Sequence, residues 1–312
     1  MNWLSLAITI GGLALFETIS SIDNAIINAE VLTTMGEKAK KFFLFWGLLF
    51  AVFIIRGLLP WAIVWATSPA LGPIGAFTAT FSNDVSVIRA IDEAAPILLL
   101  GGGMFLVLLF LHWLFLEDKN FGLPHEKFFL RQGVWFYAVT SIVLMVTVWF
   151  ALQINTLMAF GAVVGSTAFF ITHGFKQNAE SAEKDLLNKN RSDISKIFYL
   201  EVIDATFSID GVLGAFAFTL SVPIIILGNG LGAYVVRKLT IGNIKHIKSY
   251  IYLKNGAMYS ILFLGIIMSL DAFDVHIPAL ISPFVTFLTV GWFFQKSRKH
   301  KKMLELSSIK IA

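Results

Sequence analysis

The chain carries a succession of apolar runs, each long enough to cross a bilayer and each bounded by charged residues, glycine or proline. Backbone polar groups have no water to bond in hydrocarbon, so a chain of this kind folds as a bundle of helices. Hydropathy and helix breakers place nine spans near residues 4–31, 42–66, 94–116, 133–151, 156–172, 197–220, 222–240, 249–270 and 277–295. The expected fold is all-α: a single polytopic transmembrane domain over residues 1–295, followed by a basic tail over 296–312. No basic residue precedes the first run, which is too long for a signal-peptide core, so it reads as a retained span. Hydrophobic residues make up 57% and charged residues 14% of the chain, which excludes an ordinary soluble protein. Cysteine is absent, and with it disulfides, thiolate ligands and thiol nucleophiles.

Basic residues set the orientation. With the N-terminus outside, Lys38, Lys40 and Lys41, then Lys119, Lys127 and Arg131, then Lys176, Lys184, Lys189, Arg191 and Lys196 all fall on one side. Arg237, Lys238, Lys245, Lys248 and the tail from Lys296 to Lys310 fall there too, whereas the opposite loops hold only Arg89. The positive-inside bias therefore predicts an outside N-terminus and a cytoplasmic tail. The tail KSRKHKK reads as a topology anchor, with contact to anionic lipid as the lesser alternative, and the modest net charge of +4 implies no nucleic-acid partner. The 173–196 segment reads as a solvated, partly helical connector.

Within this apolar frame a polar motif occurs twice. ETISSIDNAI from Glu17 and DATFSIDGVL from Asp204 align without a gap, pairing Glu17 with Asp204, Ser21 with Ser208, and Asp23 with Asp210. One carboxylate at the centre of a span costs roughly 2.5–3.5 kcal/mol, so four unpaired ones cost roughly 10–14. The first predicted span runs inward and the sixth outward, so the copies have opposite senses. LLLGGGMFLVLLFL in the third span also resembles IYLKNGAMYSILFL in the eighth. These matches predict an inverted three-plus-three repeat: unit one over about 4–116, unit two over about 197–270, linker helices at 133–172 and an extra helix at 277–295. Inverted repeats meeting at a midplane site are an architecture of secondary transporters. The triple glycine Gly101–Gly103 reads as a packing surface.

On a regular helix Asp23 points about 120° away from Glu17. Local breaks near Ser20–Asn24 and Thr206–Gly211 would bring each motif's acids to one side. By depth, Glu17 and Asp210 form one layer and Asp23 and Asp204 another, about 9 Å apart. Arg56 is the expected supporting charge, neutralising one acid. Carboxylates with Ser21, Ser208 and Asn24 make a hard-oxygen site suited to Mg²⁺, Ca²⁺ or Mn²⁺; copper is disfavoured because neither thiolate nor imidazole is expected near the motif. Asn229 is an accessory ligand or a residue within a glycine packing surface, and Glu201 an acid on the access path or an interfacial residue. No organic cofactor is expected.

The motifs EVIDATFSIDGV from Glu201 and FETISSIDNAI from Phe16 resemble those of the TerC family of bacterial membrane proteins, named for tellurium resistance, within the LysE-like exporter superfamily. The resemblance extends over most of the chain and is nearest to a branch of unknown function. It implies metal binding by Glu17, Asp23, Asp204 and Asp210, manganese as the metal, and a bacterial inner membrane as the location. Asp in place of Glu at 204, and Gly211 in place of the amide at Asn24, are departures between the copies that make the half-sites unequal.

The expected function is a divalent-cation exporter, with Mn²⁺ favoured, working by alternating access with proton antiport. Its partners are then the lipid bilayer, the metal cation and protons; the oligomeric state stays open. A metal-binding scaffold or stress-response partner protein is the alternative from another class. An intramembrane aspartyl protease is a further one, but its Gly-x-Gly-Asp signature is missing, as are the other common hydrolase motifs, so no enzyme activity is expected.

Overall fold

The computed structural model describes residues 3–47, 49–50, 57–78, 85–119, 122–186, 192–242 and 249–311. Every regular element among them is a helix. In chain order these are α1 (Trp3–Ser20), α2 (Ile22–Leu32), α3 (Glu37–Phe42), α4 (Leu59–Thr67), α5 (Gly72–Thr78), α6 (Val85–Leu116) and α7 (Pro124–Arg131). There follow α8 (Phe136–Leu152), α9 (Thr156–Leu186), α10 (Asp193–Ala215), α11 (Val222–Gly242), α12 (Leu253–Ala272) and α13 (Ile281–Ile311). A π-helical turn, Phe43–Gly47, continues α3.

Among the described residues, six stretches of helix are long and apolar enough to cross a membrane: Trp3–Ser20, Asp92–Leu116, Gly133–Leu152, Thr156–Asn178, Val222–Thr240 and Leu253–Ala272. The chain is thus a multi-pass helical membrane protein. α10 is long but carries Glu201, Asp204 and Asp210 within its apolar run, and α13 carries its basic residues in its second half. The middle of the second expected span, 42–66, including Arg56, lies outside the described residues.

α6 is the central element. It packs against α9 on one side and α12 on the other, and the triple glycine makes both contacts possible. A Cβ on Gly101 would come within 2.8 Å of the Gly161 carbonyl oxygen, and one on Gly165 within 2.0 Å of the Gly101 oxygen. On the other side a Cβ on Gly103 would meet the Gly265 oxygen at 2.9 Å and the Ser269 hydroxyl at 2.6 Å. Without glycines the backbones could not approach this closely, and close approach is what gains dispersion energy between helices in lipid. The core around this crossing is aliphatic and aromatic, with Leu100, Leu106 and Leu108 fully buried.

α1 packs along α11 by the same device. A Cβ on Gly228 would reach within 2.4 Å of Leu13 Cβ, and one on Gly232 within 2.5 Å of Glu17 Cβ. Several described basic residues lie in polar contacts at one end of the bundle. There Lys196 Nζ donates to the Thr34 hydroxyl at 2.9 Å, Lys254 Nζ meets Glu117 Oε2 at 2.7 Å, and the Tyr252 N–H donates to Ser297. At the other end the Ser282 hydroxyl donates to the Ala217 carbonyl at 2.6 Å, and Gly12 abuts Pro283.

The 173–196 segment is helical over most of its described length, because α9 continues to Leu186 and α10 begins at Asp193. The apolar pattern ends earlier than the helix, since a helix leaving hydrocarbon keeps its backbone ladder while its side chains turn polar. One expectation is corrected here: the break near Thr206–Gly211 is absent, because α10 runs unbroken from Asp193 to Ala215. The break near Ser21 is present: α1 ends at Ser20 and α2 starts at Ile22. Ser21 has φ −91° and ψ 4°, yet its N–H still bonds the Glu17 carbonyl at 3.1 Å.

Candidate metal and ion site

The two motifs lie on antiparallel helices that cross face to face. Phe16 fills the space beside Gly214, Glu17 lies against Gly211, and the Asn24 amide donates to Asp204 Oδ1. Glu17 and Asp204 are equivalent positions of the two copies, as are Asn24 and Gly211. The first acid of each copy therefore meets the residue that follows the closing Asp of the other. In one direction the contact is a hydrogen bond. In the other, glycine leaves room for a carboxylate, since a Cβ on Gly211 would lie 2.5 Å from Glu17 Oε2.

The equivalent serines act differently. Ser21 Oγ donates to Glu17 Oε1 at 2.8 Å, whereas Ser208 Oγ donates to the Asp204 backbone carbonyl at 2.6 Å. Aspartate is one methylene shorter than glutamate, and the hydroxyl one turn along bonds the carbonyl instead. Glu17, Ser21, Asn24, Asp204, Ser208 and Asp210 are all buried. The side chain of Asp23 lies outside the described residues, so three of the four carboxylates are described.

Because α10 stays regular, its two motif acids face different neighbours. Asp210 forms an ion pair with Lys176 of α9. Asp204 Oδ2 lies 3.5 Å from Arg237 Nη2 of α11, and Glu201 Oε1 is 3.8 Å from the same nitrogen. Arg237 also donates to the Phe43 carbonyl at 3.2 Å and lies over the Phe43 ring. Gly47 makes room for this cluster, as a Cβ there would overlap Glu201 Oε1 at 2.0 Å. Lys176 and Arg237 read from the sequence as loop charges. Their long stems and the extended α9 and α11 carry them back into the bundle, where they pair with Asp210 and Asp204; Arg56, expected to neutralise one acid, lies outside the described residues. That buried acids need cations is legible in the sequence; which cations meet them is not.

A cavity of about 620 Å³ runs from Asp210 and Lys176 to Glu117, Asp118 and Lys254 at the basic end. His112 and His173 line it, their ring centroids 3.9 Å apart, and His112 Nδ1 lies 3.8 Å from Glu117 Oε1. This corrects the expectation that no imidazole lies near the motif: α6 and α9 run side by side, and their histidines, distant in sequence, share a wall with Asp210. At the mouth, burial alone would raise the Glu117 carboxyl, but the charge and hydrogen bond of Lys254 outweigh it and hold Glu117 below its ordinary value.

Several buried polar atoms have no hydrogen-bond partner among the described residues. They include Asn24 Oδ1, Asn28 Oδ1, Asp210 Oδ1 and both amide atoms of Asn229, whose side chain is wholly buried. Such groups are rare in native interiors and call for a ligand or water. Among the described residues no three His, Asp or Glu side chains are gathered closely enough to hold a metal by themselves.

Residues 22–303 match a family described as a protein of unknown function, DUF475. The chain belongs to this family. The match contains the whole second motif and Asp23 and Asn24 of the first, and it begins after Glu17 and Ser21. No curated protein and no solved structure matches the chain.

Proposed function

We propose that this DUF475 protein is a membrane transporter that exports a divalent metal cation, Mn²⁺, by alternating access in exchange for protons. The observation that carries the reading is the set of buried oxygens without donors among the described residues: Asn24 Oδ1, Asp210 Oδ1 and Asn229 Oδ1. Acceptors left unbonded in an apolar interior suit a hard cation with oxygen ligands. Glu17, Asp23, Asp204 and Asp210 supply the anionic charge, with Ser21, Ser208 and Asn24 beside them and Asn229 as accessory. Lys176 and Arg237 neutralise Asp210 and Asp204 while metal is absent, which lowers the cost of burying those acids between turnovers.

The reciprocal contacts, Glu17 with Gly211 and Asn24 with Asp204, are what an inverted repeat about an in-plane axis would produce. They support the three-plus-three repeat within nine spans, and with it the resemblance to the TerC family and the LysE-like superfamily. In this reading the protein sits in a bacterial inner membrane with its N-terminus outside. The cavity beside Asp210 is then the route from the cytoplasm.

A second reading rests on the ion pairs themselves. Lys176–Asp210 and Arg237–Asp204 would lock the bundle, with metal held for scaffolding and not for flux. Purified full-length protein in sealed vesicles separates the two. Mn²⁺ uptake into vesicles by the wild-type chain, abolished in Asp23→Asn and Asp204→Asn and faster across an imposed pH gradient, is expected for the transporter. No uptake by correctly folded wild-type protein, with Asp204→Asn lowering thermal stability, would leave the lock.

A further inference from the structure

α13 has 31 residues and is about 46 Å long at 1.5 Å per residue, whereas the hydrocarbon core is about 30 Å thick. Its apolar half ends at Phe294, and from Gln295 to Lys302 its side chains are polar and basic, as at the level where a helix leaves hydrocarbon. At this level the structure forms a cavity of about 550 Å³ between α13 and Tyr250, lined by Gln295, Arg298, Lys299, Lys301 and Lys302. Gln295, Arg298, Lys299 and Lys302 share one helix face at i, i+3, i+4 and i+7. No acid lines the cavity, and none of its four cations forms an ion pair among the described residues. Lys301 is positioned by its bond to the Ser249 hydroxyl at 3.2 Å and by the Tyr250 ring beneath it.

An aromatic girdle surrounds this basic pocket. Lys296 Nζ lies 5.2 Å from the ring centres of both Tyr252 and Trp292, and Tyr250 stacks on Phe294 with centroids 4.9 Å apart. Amphipathic rings collect at the headgroup level of a bilayer. Four cations on one concavity, with no acid beside them among the described residues, suit an anion, and at the headgroup level the available anion is lipid phosphate.

We propose that the pocket between Tyr250 and the Arg298–Lys302 turn binds the phosphate headgroup of an anionic phospholipid. The tail is then a lipid-binding element of the protein as well as a topological marker. This does not depend on the transport reading.

The test uses delipidated full-length protein in neutral detergent, followed by native mass spectrometry with phosphatidylglycerol, phosphatidylcholine or inorganic phosphate. The wild-type chain should retain phosphatidylglycerol and lose phosphatidylcholine. The triple variant Arg298→Gln/Lys299→Gln/Lys302→Gln should bind phosphatidylglycerol about a hundredfold more weakly, at about fivefold per basic residue near an anionic surface. A control that removes three charges elsewhere at the same end, Lys38→Gln/Lys41→Gln/Lys127→Gln, should keep wild-type affinity. The changed side chains of the first variant are exposed, and an unaltered thermal melt will show that it folds. Equal retention of both lipids, or equal losses in the two variants, would overturn the proposal. Displacement of bound lipid by millimolar inorganic phosphate would also overturn it, by assigning the pocket to a free anion.

Discussion

Glu126 has no exposed surface, and both its oxygens are engaged inside the protein. It accepts the Leu123 N–H at 2.7 Å and the Asn255 amide at 2.8 and 3.0 Å, tying the short helix α7 to the start of α12. All these partners are donors, so an amide in its place would set one donor against another. Glu126→Gln should therefore lower stability by about 1–3 kcal/mol, the cost of an unsatisfied buried donor. Glu37→Gln, at an exposed ion pair with Lys40, should leave it nearly unchanged. Thermal melting in detergent compares the two. Glu117 makes a pH-dependent clip of the same kind. Lys254 holds its carboxyl below the ordinary value, so the stabilisation is full above the unfolded carboxylate range and is lost as pH falls through the folded value. The difference in melting temperature between wild type and Glu117→Gln should be small and constant from pH 7 to 5, reflecting about 0.2–1 kcal/mol, and shrink as pH falls below the ordinary carboxylate range toward the lowered folded value. At this scale the acids of the repeated motif are legible in the sequence, because a carboxylate in an apolar run is costly wherever it occurs. Their cations are not, since Lys176 and Arg237 lie among other basic residues and only the path of α9 and α11 brings them inward.

The helix contacts rest on glycine at one face and tolerate side chains at another, and α9 shows both. Gly165 faces the Gly101 backbone oxygen, with no space for a methyl group, whereas a Cβ on Gly174 would meet nothing within 4 Å. Backbone cannot move aside as a flexible side chain can. Gly165→Ala should thus force α6 and α9 apart and cost about 1–3 kcal/mol, while Gly174→Ala, which favours helix, should leave stability unchanged or raise it by up to about 1 kcal/mol. Unfolding of the purified protein in detergent mixtures would show opposite signs for two identical substitutions on one helix. The packing role of Gly101–Gly103 was readable because three small residues in a span have few other uses. The unequal breaks were not. Ser208 spends its hydroxyl on the α10 backbone, whereas Ser21 spends its hydroxyl on the Glu17 carboxylate, and the helix is interrupted only at Ser21. Identical Ser-Ile-Asp cores give no sign of that difference; the residues around them differ, with Glu17 against Asp204, Ser20 against Phe207 and Asn24 against Gly211.

Across the whole molecule the antiparallel crossing of α6 and α12 is uneven. Toward one end Gly102 abuts Met268 and Gly103 abuts Gly265 and Ser269, leaving no gap. Toward the basic end Tyr259 still packs on Phe110 and Trp113, and a cavity lined by His112, Glu117, Lys254 and Met258 opens beside the same two helices. If the three-plus-three repeat relates the two helices, exchanging the conformations of the units closes the cavity and opens the glycine contact. Access to the buried acids would then come from the opposite side, with Lys176 and Arg237 withdrawn or shielded as metal or protons occupy the carboxylates. The absence of cysteine makes this directly testable, because any thiol introduced is the only one. Gln177→Cys lies on the cavity wall and should react with an impermeant maleimide from the side of the basic tail. Ser269→Cys is nearly isosteric, is packed against Gly103, and should be unreactive in the resting protein. Under an imposed Mn²⁺ and proton gradient in sealed vesicles, Ser269→Cys should gain reactivity from the opposite side as Gln177→Cys loses it. A scaffold held by its ion pairs predicts reactivity at both positions that is indifferent to the gradient.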